Sequence, residues 1–413
     1  MKILLANKFY YPRGGPETVM LQQEKHLKAL GHQVIPFAMQ DEKNLSSDYS
    51  RYFVSSVDYH SLNGSWWGNS KTALKMIYSP ESKGKIEQLL DFSKPDIAHL
   101  HNIYHQISPS VLKPFKKRNI PVVMTLHDFK LVCPNYSFYR EGQNCEECQG
   151  RRFYKAVQHR CIQNSRLKSL VCAAEGYFHS WARTYTDNVN LFIALSQFSR
   201  QKFIDYGLPA EKVICLPNCL DLREYRPNYD HSGFVLFAGR LNQKYGISTL
   251  LEAARLLPQI SFKIAGTGEE EAGAKNFVRE KELNNVEFLG FLNPEQLKQV
   301  MSESYFTVFP TTMYHNCPMA ILEAFALGKP VLASDLGSLP ELVKNNENGL
   351  LFETKSVRDL TDKILKLYRQ PQVVREYGEK ARRMIEQEFS AEKYYPKLMQ
   401  IYQKLVTGNR NDN

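Results

Sequence analysis

No stretch of the sequence approaches the roughly 18 uninterrupted apolar residues that a membrane-spanning helix needs, and residues 1–12, MKILLANKFYYP, hold too short an apolar core for a secretory signal. Low-complexity tracts and internal repeats are also missing, and the composition excludes collagen, coiled coil and disorder. Cysteine is scarce: eight residues in 413, four of them between 133 and 161, too few and too local for a disulfide scaffold. These absences predict a soluble, cytosolic chain with reduced thiols. What is present is ordinary globular material, 43% hydrophobic and 23% charged, enough for two or three domains. A formal net charge of +10 favours an anionic partner, whether nucleic acid, a phospholipid surface or a phosphorylated small molecule.

Short apolar or β-branched runs recur: KILLAN at 2–7, HQVIPFAM at 32–39, DIAHLH at 96–101, PVVMTLHD at 121–128, LFIALS at 191–196 and VICLPN at 213–218. Segments of helical period lie between several of them; residues 18–30 place Val19, Leu21, Leu27 and Leu30 among polar residues, and Gly31 stops the helix. After a linker-like stretch rich in Pro, Asn, Asp and Gly, the pattern restarts: FVLFAGR at 234–240, ISFKIAG at 260–266, VEFLGF at 286–291, YFTVFPT at 305–311, PVLASD at 330–335 and GLLFE at 349–353. Alternation of this kind predicts an α/β fold of two consecutive units, each a parallel sheet covered by helices such as 248–257 and 320–327, divided near residue 225. A last helix over 391–405, with Tyr394, Tyr395, Leu398, Ile401, Tyr402 and Leu405 on one face, has no further strand to cover and is expected to pack elsewhere. Ligands of open α/β sheets sit beyond the carboxyl ends of the strands, so two facing units define a cleft.

Several segments carry chemistry suited to such a cleft. Tyr11 to Pro16, YPRGGP, follows the first strand; Gly14 and Gly15 there would let backbone amides approach a phosphate or sugar, or simply make a tight turn. His127-Asp128 ends a central strand, where the imidazole could meet a sugar hydroxyl or be a structural histidine; His99, His101 and His105 suggest a polar edge of the cleft without metal-ligand spacing. Arg240 ends the first strand of the second unit with Lys244 just beyond, positive charge of the kind a departing diphosphate needs. Gly266 and Gly268 form a second small-residue turn. Pro318 suits a first helical position, which would leave the N–H groups of Met319 and Ala320 free to cradle a diphosphate, and Glu323 one turn later could accept both ribose hydroxyls of a nucleotide.

Taken together, Gly14-Gly15, His127-Asp128, GRL at 239–241, GTG at 266–268, LPN at 216–218, EAFALGKPVLAS at 323–334 and LPELV…NGLLF at 339–352 resemble the family-4 retaining glycosyltransferases of GT-B fold. The resemblance implies two Rossmann-like domains facing a central cleft: an acceptor-side domain at 1–224, a domain at 225–388 that holds a UDP- or GDP-sugar, and a C-terminal helix at 389–413 crossing back to the first. It also implies transfer with retention of configuration, without a required metal, to a glycan or lipid-linked acceptor in polysaccharide biosynthesis. In the roles it implies, Arg240, Lys244 and His127 are catalytic, and Gly14, Gly15, Gly266, His315, Met319, Ala320 and Glu323 bind the donor. Two positions depart from the family pattern. A Glu is usual where His315 stands, and a Lys where Tyr245 stands. A protonated His315 beside a diphosphate would supply positive charge in its own way; the rival reading is a catalytically degenerate protein that binds a nucleotide sugar or a partner enzyme without transfer, and a more distant one is a sugar-nucleotide epimerase.

Two further features stand outside that pattern. Cys133, Cys145, Cys148 and Cys161, spaced C-x11-C-x2-C-x12-C, suit tetrahedral thiolate ligation of a structural zinc, with an iron–sulfur cluster, free thiols or disulfides as the alternatives; Cys172, Cys215, Cys219 and Cys317 read as small apolar residues. Residues 151–183 then carry seven Lys or Arg against one acid, Glu175, interleaved with Phe153, Tyr154, Tyr177, Phe178 and Trp181. This composition suits either docking of a cytoplasmic protein on an anionic membrane surface or a solvated helix with core aromatics. No motif supports nucleic-acid binding.

Overall fold

The computed structural model describes residues 1–56 and 75–411. The first unit is a six-stranded parallel sheet of β1 (Lys2–Ala6), β2 (Gln33–Phe37), β3 (Ile97–Leu100), β4 (Val122–Leu126), β7 (Leu191–Ala194) and β8 (Val213–Cys215), in spatial order β2-β1-β3-β4-β7-β8. Between β4 and β7 lies a two-residue-a-side hairpin, β5 (Tyr139–Arg140) and β6 (Gln143–Asn144), which no apolar run announced. The second unit repeats the architecture with β9 (Phe234–Ala238), β10 (Ser261–Ala265), β11 (Val286–Gly290), β12 (Phe306–Phe309), β13 (Val331–Ser334) and β14 (Gly349–Phe352), ordered β11-β10-β9-β12-β13-β14 and parallel throughout. Each of the twelve apolar runs is a strand. Helices on both faces bury them, so β3, β4, β12 and β13 are buried at every residue, which is why they read as continuous rather than alternating patterns.

Five helices frame the cleft and its surroundings: α1 (Gly15–Ala29), α2 (Leu112–Lys117), α3 (Arg166–Trp181), α4 (Met319–Ala326) and α5 (Ala391–Asn411). The last of these packs on the first sheet. Leu398 and Tyr402 are fully buried in one core with Ile3, Leu5 and Ile97, and a backbone stitch holds the crossing point, Leu220 N–H to Phe389 O at 2.9 Å and Ala391 N–H to Leu220 O at 2.9 Å. None of the described helices is long and apolar enough to cross a membrane.

Strand order fixes where a ligand can sit. In the first sheet the chain leaves β1 toward β2 on one side and β3 lies on the other; in the second, β9 is flanked by β10 and β12 in the same way. At such a switch point the connecting segments diverge and open a crevice beyond the strand ends. Gly14 follows β1 and Arg240 follows β9, so both belong to segments at switch points.

Candidate functional site

The two switch points face each other. Gly14 caps α1 in an extended conformation, and a Cβ placed on it would lie 3.7 Å from Nη2 of Arg240 and 3.3 Å from Oε2 of Glu17. A guanidinium from the second unit therefore stands where a side chain on the glycine turn of the first would reach it, across 226 residues of sequence. Gly15, one residue on, is exposed with open space around its α-carbon. Glu17 was not foreseen: it is buried and accepts a hydrogen bond from Asn7 Nδ2 at 3.3 Å. The available signal was an acid in the first turn of a helix that starts at a glycine.

Close packing requires the glycines of the second unit. A Cβ on Gly266 would stand 1.9 Å from the carbonyl oxygen of Gly239, and its φ of +137° is one that side chains disfavour. The two turns that end β9 and β10 are thus pressed together, with Gly239 N–H donating to Ala265 O and Leu241 N–H to Thr267 O.

Pro318 is the N-cap of α4, with extended φ/ψ, rather than its first helical residue. The helix begins at Met319, and the consequence expected from the sequence is kept: the N–H groups of Met319 and Ala320, its first two positions, have no intrahelical acceptor. The approach to this helix is tied to the other unit, because Asn316 Nδ2 donates to Leu126 O at 3.1 Å, next to His127. Glu323 lies on the second turn, half-buried; burial raises its pKa against the opposing pull of Lys298 and of a hydrogen bond from Tyr225.

Lys244 and the two departures form one group. The carbonyl of Lys244 accepts from Thr311 Oγ1 and from Thr312 N–H, each at 2.9 Å, and its ammonium lies 5.7 Å from the Tyr139 ring centroid. Burial lowers its pKa, with Glu269 and Cys133 acting the other way. Tyr245 and His315 touch edge to face, with ring centroids 5.6 Å apart, and His315 also meets Phe309 at 5.0 Å and Thr311 Oγ1 at 3.0 Å. Burial holds the imidazole down to about 4, so it is neutral near pH 7.

His127 is the cleft end of a stack of three imidazoles. His99 and His101 alternate along β3 and its end, which places them on one face, with ring centroids 4.7 Å apart; His101 stacks on His127 at 5.1 Å and its Nδ1 lies 2.8 Å from Nε2 of His127. His99 and His101 are wholly buried, so they back the cleft rather than forming its polar edge. His99 in turn meets Thr125 Oγ1 at 2.7 Å, Gln23 Nε2 at 2.8 Å and the hydroxyl of Tyr402 on α5. Burial holds both His99 and His127 neutral, down to about 3. Behind His127, Asp128 is raised by burial despite the N–H of Lys130, while Glu175 is pulled to about 2, because His105 and Lys130 outweigh its burial.

The four cysteines of the 133–161 lobe lie near enough for their charges to interact; burial, then the neighbouring thiols, push Cys148 to about 12 and Cys161 to about 11. They are not the residues whose ligand atoms gather most closely. Among the described residues, the one group of three or more with all ligand atoms within 4.8 Å of one another is His105, Cys172 and Glu175. That group does not fit a metal ion well, since Lys130 Nζ already sits 2.9 Å from Glu175 Oε2 and a second cation would be repelled. It is a buried ion-pair cluster.

Comparison with known proteins agrees with this arrangement. Residues 13–224 match the family described as "Glycosyltransferase Family 4" and residues 221–387 the one described as "Glycosyl transferases group 1". The chain is 28% identical over 229 residues to an uncharacterized glycosyltransferase, MJ1178, of Methanocaldococcus jannaschii, covering 55% of this chain and 63% of that one. It is 26% identical over 246 residues to the amylovoran biosynthesis glycosyltransferase AmsK of Erwinia amylovora, covering 56% and 60%. The match therefore spans somewhat under two thirds of each relative's length. The fold is shared with Anabaena Alr3699/HepE, solved in complex with UDP and glucose, at a TM-score of 0.69 and 18% identity over 98% of this chain and 100% of that one. The chain belongs to the family-4 glycosyltransferases, with the GT-B arrangement of two parallel-sheet domains about a cleft.

Proposed function

We propose that the protein transfers a sugar from a nucleoside-diphosphate sugar, UDP- or GDP-linked, to a hydroxyl of a glycan or lipid-linked acceptor, with retention of configuration, in building a polysaccharide. The observation that carries this reading is the approach of Arg240 to the Gly14 turn at facing switch points. In this reading Met319 and Ala320 N–H, Arg240 and Lys244 hold the diphosphate, and Glu323 takes the ribose hydroxyls. Gly266 lets the nucleotide approach the backbone, and Gly14 and Gly15 admit the phosphate or the acceptor. His127, neutral, meets a hydroxyl of the donor sugar. As the bond from the anomeric carbon to the diphosphate breaks, its electron pair goes to the leaving oxygen. Fixed positive charge and N–H dipoles there stabilise the departing anion more than the bound substrate. The acceptor oxygen bonds to the anomeric carbon on the face the diphosphate leaves, and its proton passes to the departing diphosphate oxygen. UDP bound to HepE and a polysaccharide role for AmsK support the donor class and the setting.

The test is a thermal-shift screen against UDP, GDP, ADP and their sugars, followed by donor hydrolysis with the best binder. A selective rise in melting temperature is expected. Arg240→Ala should lower turnover by about 10²–10³ with folding intact, as removal of one anion-stabilising group does elsewhere; wild-type rates in that variant would remove Arg240 from the mechanism. A second reading, binding without transfer, is favoured by the neutral Tyr245–His315 contact where the family pattern has a Lys and a Glu. The double variant Tyr245→Lys/His315→Glu separates the two. Gain of activity supports degeneration, and loss supports a site adapted to its own donor.

A further inference from the structure

We infer that α3 is a docking ridge by which the protein lies on a bilayer containing anionic phospholipid. Six residues, Leu167, Leu170, Ala174, Tyr177, Phe178 and Trp181, recur at spacings of three and four and so fall on one stripe of the helix. All six are exposed, Trp181 at 82%, Leu167 at 56% and Leu170 at 53%. The opposite face, with Ser169, Cys172, Ala173, Glu175 and His179, is the buried one. A surface helix ordinarily presents polar residues outward, whereas α3 presents apolar ones, and contiguous exposed apolar surface of this kind marks an interaction site.

The charge around the ridge selects the occupant. Arg166 and Lys168 flank its first turn, and Arg183 lies just past its end. Lys113, Lys116 and Lys117 of α2 are exposed and line one depression with Ala182, the residue that caps α3. The acid in that depression, Asp187, is paired with Arg183 at 2.9 Å. An apolar stripe carrying a tryptophan, edged by lysines and arginines, has the chemistry of a helix lying in the plane of a lipid–water interface: the apolar side chains enter the acyl boundary and the cations meet anionic headgroups. The ridge has a mechanical route to the cleft. Glu175 on its buried face pairs with Lys130, two residues beyond Asp128, so a docked helix holds the His127 loop at a set height above the lipid.

This surface is independent of the proposed transfer reaction, and its test needs no donor. The full chain is sedimented with sucrose-loaded vesicles of phosphatidylcholine alone and of phosphatidylcholine with about 30 mol% phosphatidylglycerol. Binding only to the anionic vesicles, weakened by salt, is expected. Leu170→Ser/Trp181→Ser should lower the partition coefficient about tenfold with an unchanged melting temperature, because both side chains are in solvent. Lys113→Glu/Lys116→Glu/Lys117→Glu should abolish the preference for phosphatidylglycerol. Absence of wild-type binding to either vesicle overturns the proposal, as does equal binding of the ridge variant. It is equally overturned by a dimer in sedimentation velocity that Leu170→Ser dissolves while vesicles are ignored, which would assign the ridge to a second copy of the chain.

Discussion

At the scale of single residues, the cleft is shaped by what is left out. With Gly239 O only 1.9 Å from the position of a Cβ on Gly266, and φ at +137°, Gly266→Ala must move the β9 turn that carries Arg240. Strain of this kind costs on the order of 1–3 kcal/mol. A fall in urea stability of that size, with weaker nucleotide binding, is expected; a variant as stable as the parent would show that the turn relaxes freely. The imidazole stack has a different consequence. His99 and His127 titrate near 6.5 when unfolded and near 3 when folded, so below about 6.5 the unfolded chain binds more protons. Their contribution is fully present above that pH and is lost as pH falls toward 3. Stability should therefore drop between pH 7 and 5, and His99→Gln should flatten the slope by up to about 1.4 kcal/mol per pH unit; an unchanged slope would mean the group titrates normally. The placement of Arg240 just past a strand and of Met319, Ala320 and Glu323 at a helix start was legible because glycine turns and helix starts have local signatures. The buried partners were not, since what places Glu17 beside Gly14, or His315 against Tyr245, is burial and tertiary contact, and neither leaves a period in the sequence.

At the scale of elements, strands were the most legible part. A parallel strand buried on both faces must be apolar throughout, and β-branched runs such as VVMTL at Val122–Leu126 can hardly be anything else. The β5–β6 hairpin escaped for the converse reason: Tyr139–Arg140 and Gln143–Asn144 are two residues each, with no apolar alternation to read. The face of α5 was visible as a period and its return to the first domain was implied by the family resemblance, but the residues it meets there were not legible. Tyr402 receives a hydrogen bond from Gln23 at 2.7 Å and contacts His99, so the final helix reaches the rear of the stack that ends at His127. Tyr402→Phe removes one hydrogen bond from each of Gln23 and His99, which still bond each other, and costs roughly 0.5–1.5 kcal/mol per bond. If α5 positions His127 through the stack, the same variant should lower kcat while leaving donor KM close to the parent value. A loss of stability with kcat intact would reduce the contact to packing.

At the scale of the whole molecule, the two domains are joined by polar contacts as well as by the linker and α5. The cysteine lobe reaches across the cleft: Tyr139 bonds Thr312 through their hydroxyls at 2.9 Å, Asn144 Nδ2 donates to Thr312 O at 3.1 Å, and Tyr314 donates to Glu146 at 3.0 Å. On another side Glu341 accepts from the first two N–H groups of the helix Gln197–Asp205, at 2.8 and 2.6 Å, capping a helix of the first domain with a carboxylate of the second. Such a cap joins a hydrogen bond to a favourable helix-dipole interaction and is worth on the order of 1 kcal/mol. Contacts of this size can break and re-form without unfolding either sheet. The loop gripped by the lobe, at 311–315, carries His315 and bonds the Lys244 carbonyl through Thr311 and Thr312, so donor binding and domain closure should be coupled. Glu341→Ala/Glu146→Ala should then raise the radius of gyration of the free protein in solution scattering, with nucleotide-sugar donor restoring the compact value at the cost of a higher donor KM. If the radius and KM both match the parent, the domains are held by the crossing helix and linker alone, and the cysteine lobe is not a clasp.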